Sequence, residues 1–130
     1  MINENVKAVL SESLWYLATS DGKVPNVVPM AFKNVTEDGK LIIADVFMDT
    51  TLKNVTANGQ IAIAASNAAT LEGYQIKGTA QYITEGPIVD SIKAMVEGAT
   101  KGALHAKGVL VVTPEKVIVA TPGPACKTEL

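Results

Sequence analysis

Apolar and polar positions alternate with period two over most of the chain, and shift to helical spacing in three places. Val6, Val9 and Leu10 recur at three and four residues within Asn3–Ser13, which predicts a short amphipathic helix. Leu14–Thr19 is aromatic and β-prone, and stops at Ser20-Asp21-Gly22-Lys23, a strong turn signal. A strand over Val24–Lys33 follows, broken by Pro25 and Pro29, which sets it at a sheet edge or a bulge. Thr36-Glu37-Asp38-Gly39 turns the chain again into a strand over Lys40–Val46, predicting a three-stranded meander.

Asp49 then stands as N-cap to a helix over Thr50–Ala57 that Asn58-Gly59 closes in the left-handed conformation. Strands are predicted over Gln60–Ser66 and Leu71–Thr84, the second with a bend or close backbone approach at Gly78. Pro87 opens another helix, with Ile88, Ile92, Met95 and Val96 as its apolar stripe, running to about Gly98. Two strands, Val109–Thr113 and Lys116–Ala120, are separated by a Pro-Glu turn, and the tail from Thr121 to Leu130 lacks core residues and reads as extended. Six or seven antiparallel strands with two or three short helices make a small closed or nearly closed barrel, since closure removes exposed sheet edges.

Composition narrows the function classes. The 130 residues suit one domain, and 48% hydrophobic content supplies its core, although only 5% aromatic residues means that aliphatic side chains build it. Net charge is −2 with scattered lysines, which excludes a nucleic-acid face. No secretion signal and no membrane-length apolar run occur, so a cytoplasmic protein is expected. Cys126 is the only cysteine, which rules out an internal disulfide and a thiolate metal cage. His105 is the only histidine and lies in a Gly-rich stretch, away from any nucleophile pattern.

All 11 cationic residues are lysines. An anion must therefore be met by Lys33 or Lys53, by hydroxyls, or by backbone amides, and not by a guanidinium clamp. Thr50-Thr51 on the first turn of a helix is such a seat, next to free N–H groups and the positive dipole end. Local pattern alone favours a plainer reading, in which Asp49 caps the helix and both threonines lie at the surface.

The ordered segments LATSDGKVPNVVPMAFK, DGKLIIAD, TTLKNVTANGQIAI, GYQIKGTAQYITEGP and TPEKVIVATPGPA change that balance. Together they resemble the pyridoxamine 5'-phosphate oxidase-like FMN-binding split barrels, and most the small flavin-nucleotide-binding proteins among them, from about Leu14 to Ala125. The resemblance implies a mainly β protein, a split antiparallel barrel of six to seven strands of Greek-key type with minor helix. It implies a homodimer with FMN at the subunit interface, serving as a flavin-dependent oxidoreductase or electron carrier. A nicotinamide nucleotide or a redox protein would donate electrons. Val28, Pro29, Met30, Ala31, Phe32 and Lys33 match the family's first cofactor-contacting strand, and Ala44 and Asp45 the adjacent one. Thr50 and Thr51 match the phosphate ligands, with Lys53 beside them, and Gly73 and Tyr74 match a cofactor-lining position on the long strand. Asn54 matches a residue expected to bond within the helix.

Two departures stand out. Thr50 occupies the place of the family's phosphate-binding cation, which leaves a deazaflavin or haem as alternative cofactors, or a non-catalytic flavin store. The C-terminal Trp and Arg of the oxidase itself have no counterpart, so pyridoxamine phosphate oxidation is not implied.

Overall fold

The computed structural model describes residues 1–130. Helix α1, Glu4–Glu12, is capped by Asn3, whose side chain accepts the Val6 amide at 2.9 Å. Its predicted stripe of Val6, Val9 and Leu10 is fully buried. The strands are β1 Trp15–Ser20, β2 Pro25–Met30, β3 Lys33–Val35, β4 Leu41–Asp45, β5 Gln60–Ser66, β6 Gly73–Ile83 and β7 Gly108–Val119. Helix α2, Thr50–Asn58, joins β4 to β5, and α3, Pro87–Thr100, joins β6 to β7.

All seven strands form one antiparallel sheet in the order β2-β1-β5-β6-β7-β4-β3. Its two edge strands, β2 and β3, are consecutive in sequence and separated only by Ala31 and Phe32. The sheet therefore curls until its edges meet through the chain and not through a ladder, which makes a split barrel. The expected Val24–Lys33 strand is two strands, and the expected three-strand meander does not form, because β2 pairs only with β1 and β4 pairs with β3 and β7. Pro25 and Pro29 suit the outer edge of β2, where a missing donor costs no ladder bond.

The barrel interior is one cluster that includes Trp15, Leu17, Leu41, Ile43, Ile63, Ile76, Leu110 and Val112, closed by the α1 stripe and Val55 of α2. Each such side chain contributes about 1.5–3 kcal/mol on burial. A second cluster lies on the outer face, where α3 covers Ile42, Ala44 and Val109 with Val89, Ile92 and Val96. Covered on both faces, β4 loses alternation and is buried at all five positions. The stripe of α3 holds at Ile92, Met95 and Val96 and differs from expectation only at its start, where Val89 is inside and Ile88 exposed. Gly98 does not end this helix; Lys101 does, in the left-handed conformation at φ 53°.

Two further expectations are corrected. The two C-terminal strands are one strand, β7, which runs through Pro114 and Glu115. Its ladder to β4 ends at Val112, so Pro114 has a partner on one side only, and the register shifts at Lys77/Gly78 opposite it. Gly78 is the close approach foreseen, since a Cβ there would overlap the Thr113 carbonyl. The tail is not extended either. Lys127 N–H donates to the Val119 carbonyl at 2.7 Å and Leu130 N–H to that of Val117 at 2.8 Å, covering the β7 edge beyond β4. No helix is long and apolar enough to cross a membrane.

Candidate functional site

The split leaves a cavity of about 400 Å³ where the free edge of β2, the end of β4 and the start of α2 converge. That volume lies within the usual range for small-molecule sites. Asn26, Val28, Pro29, Met30, Ala31 and Phe32 form one wall, and Ala44 with Val46, Phe47 and Met48 another. Asp49, Thr50 and Thr51 close one end, and Leu104 reaches in from the loop after α3.

Helix α2 begins without a side-chain cap. Asp49 is the N-cap by position, but at φ −133° and ψ −83° its carboxylate receives no N–H from the first turn. It bridges to Lys53 Nζ at 3.2 Å, with both side chains more than three-quarters exposed, a pair that adds little stability. The amides of Thr50, Thr51 and Leu52 consequently donate to no protein group. Three orphan donors on the dipole's positive end, two of them from residues lining the cavity, form an anion seat. Thr51 is 2% exposed, against the plainer expectation of two surface threonines. Its hydroxyl accepts from Asn26 Nδ2 at 3.2 Å, which ties β2 to the seat and leaves the Thr51 proton free to donate.

The helix is docked firmly. Asn54 Nδ2 donates to Thr19 Oγ1 of β1 at 3.1 Å in a buried contact, so its bond runs to the barrel and not within the helix as expected. Asn58 Nδ2 donates to the Ser20 carbonyl at 2.7 Å, and Gly59 at φ 70° ends the helix as foreseen.

Of the residues expected at a cofactor, Val28, Pro29, Met30, Ala31, Phe32, Ala44, Thr50 and Thr51 line one cavity. Five do not, and Gly73 lies beside Tyr74 away from it. Lys33 lies over the Trp15 ring, 5.7 Å from its centroid, and partial burial without a carboxylate partner lowers its pKa. Lys53 is turned outward to Asp49. Tyr74 is buried elsewhere and donates to Glu72 at 2.6 Å, and that carboxylate together with burial pushes the phenol up to about 12. Asp45 is 1% exposed, and both of its oxygens accept internal hydrogen bonds. Asn26, Val46, Phe47, Met48 and Leu104 belong to the lining and were not foreseen. An apolar Val46-Phe47-Met48 run between a strand and a helix was the available signal for three of them, whereas nothing near Leu104 marks it. His105 lies outside the cavity, its Nδ1 3.1 Å from Glu97 Oε1 at the surface.

Comparison with known proteins agrees with this architecture. The chain is 35% identical over 126 residues to an uncharacterised protein of Methanocaldococcus jannaschii, covering 95% of this chain and 83% of that protein. Among solved structures it is similar to HupZ of Group A Streptococcus, at 27% identity and TM-score 0.82, covering 97% of this chain and 99% of that one. An FMN-binding protein of Syntrophomonas wolfei shares the fold at 18% identity and TM-score 0.78, with 91% and 85% covered. An F420 reductase shares it at 16% identity and TM-score 0.67, with 88% and 97% covered. The family model described as pyridoxamine 5'-phosphate oxidase matches residues 2–120, and the chain belongs to that family.

Proposed function

We propose that the cavity holds FMN without a covalent bond, its ring between β2 and the Val46–Met48 segment and its phosphate on the first turn of α2. The observation that carries this reading is the uncapped start of α2, with three unpartnered amides and two threonines at one end of an otherwise apolar cavity. Apolar walls suit a planar heteroaromatic ring, and orphan amides suit phosphate oxygens. A bound flavin supplies reversible electron transfer, so the chain need only bind it, orient it and exclude water. On that ground the protein is read as a flavin-dependent oxidoreductase or electron carrier, reduced by a nicotinamide nucleotide or a redox protein. Pyridoxamine phosphate oxidation is not part of the reading. Purified protein should carry a flavin spectrum or bind added FMN in the micromolar range or tighter; no binding at high micromolar FMN removes the proposal.

One observation favours a second cofactor. No lysine lines the seat, so a phosphate dianion would meet no cation there. A deazaflavin whose phosphate is a diester carries less charge at that point and would suit the same donors, and an F420 reductase shares the fold. Mass spectrometry of the extracted ligand decides between the two.

A homodimer belongs to the reading. Phe47 at the cavity is 80% exposed, and Val24 just before β2 and Val27 on it are 65% and 64% exposed. Apolar side chains left so open around a site suit cover by a second copy of the chain. Sedimentation should give twice the chain mass, and Val27→Lys should shift it toward monomer and weaken FMN binding together. A wild-type monomer removes this part. The cytoplasm is the proposed location.

A further inference from the structure

Asp45 ends β4 between Ala44 and Val46, whose side chains line the cavity, so strand alternation turns its own side chain to the opposite face. There it is 1% exposed. One carboxylate oxygen accepts the Met48 amide at 2.9 Å, and the other accepts the Tyr82 hydroxyl at 2.5 Å. Its backbone carbonyl takes the Lys107 amide at 2.8 Å. Tyr82 belongs to β6, two strands from β4, and must reach across β7 to arrive. It can do so because Gly108 is the residue paired with Asp45, and a Cβ on Gly108 would overlap the phenol. Burial, then the Asp45 bond, pushes the Tyr82 phenol up to about 12, so it remains a donor throughout the neutral range.

The apolar segment Val46-Phe47-Met48 is irregular backbone, with no ladder on either side to fix it. Phe47 projects into solvent from it, and α2 with the anion seat begins two residues after Met48. The bond from the Met48 amide to Asp45 is the segment's one hydrogen bond, beside the packing of the Val46 and Met48 side chains. We infer that Asp45 and Tyr82 are positioning residues for the cofactor site, a latch across three strands that fixes the Val46–Met48 wall and the entry to α2. They touch no ligand and act through the Met48 amide. The inference rests on the cofactor reading for its consequence, but the latch itself is a property of the unliganded chain.

Tyr82→Phe keeps the ring over Gly108 and removes the hydroxyl. Amide exchange at Met48 in the unliganded full chain should quicken by about tenfold or more. FMN should bind about fivefold or more weakly. Tyr74→Phe, which breaks a comparable tyrosine–carboxylate bond away from the cavity, should leave both within about twofold of wild type. Asp45→Asn should also stay within about twofold, because an amide still accepts from Met48 and donates to the Tyr82 oxygen; the latch needs hydrogen bonds and not charge. Asp45→Ala should lose both readouts, and if it does not fold, Tyr82→Phe still decides. Unchanged FMN affinity in Tyr82→Phe, or equal loss in Tyr74→Phe, overturns the inference. Should the wild-type chain bind no FMN, the cofactor reading fails, and Met48 exchange alone decides the latch: an unchanged rate in Tyr82→Phe removes it.

Discussion

At the scale of single residues, Thr50 and Thr51 do different work. Thr51 is buried and holds Asn26, so Thr51→Ala removes a hydroxyl from the seat and strands a donor on β2. A lost hydrogen bond of about 0.5–1.5 kcal/mol predicts FMN binding weaker by roughly threefold to tenfold. Thr56→Ala, on the exposed side of the same helix, should change little, and a calorimetric titration of both variants separates the roles. Thr50→Lys adds a cation beside the amides and hydroxyls of the seat, where none lines the cavity now. A charge-assisted bond should tighten FMN by roughly tenfold while leaving riboflavin, which has no phosphate, unaffected. Equal gains for both ligands would mean the lysine touches the ring and the phosphate lies elsewhere. The sequence marked these two threonines by their place on the first turn of a helix and by the family resemblance. It could not show that Asp49 leaves the cap for Lys53, because i to i+4 pairing and capping use the same carboxylate. Nor could it show that Lys33 packs over Trp15, a contact between residues on the two sides of β2 in sequence.

At the scale of elements, the misreadings share a cause: a neighbour the sequence does not display. Pro114 reads as a turn until the end of the β4 ladder leaves it one free side. Gly98 reads as a helix stop, yet nothing lies within 4 Å of the place where its side chain would be, and the helix continues to Thr100. Ile88 and Val89 are equally apolar, and only the packing of α3 on Ile42 and Ala44 selects the second. Gly78 and Gly98 therefore answer oppositely to the same substitution. Gly98→Ala removes backbone entropy from an open helical position and should raise stability by about 0.5–1 kcal/mol. Gly78→Ala drives a methyl into the Thr113 carbonyl at the bulge and should lower it by about 2 kcal/mol or more. Urea midpoints measure both. If Gly78→Ala is as benign as Gly98→Ala, the β6–β7 contact is not as close as the backbone places it.

For the whole molecule, the mainly β, antiparallel character was legible because alternation and turn residues are local signals, and the split barrel was legible through the family resemblance; the pairing order was not, because nothing in Ala31-Phe32 announces that the sheet's two edges meet there. Closure also shapes how stability responds to pH. Tyr74 and Tyr82, on β6, each donate to a carboxylate, and both phenols are raised from 10.0 to about 12. Folding therefore holds protons that the unfolded chain releases. The stability these bonds contribute is complete below pH 10, falls as pH rises from 10 to 12, and is lost above that. Tyr74→Phe and Tyr82→Phe should each be less stable than wild type at neutral pH, and each gap should close as pH approaches 12. All other side chains are common to the three proteins and cancel in the comparison. Urea unfolding at pH 8, 10 and 11.5 tests this: a gap that stays constant would mean that neither bond depends on a protonated phenol.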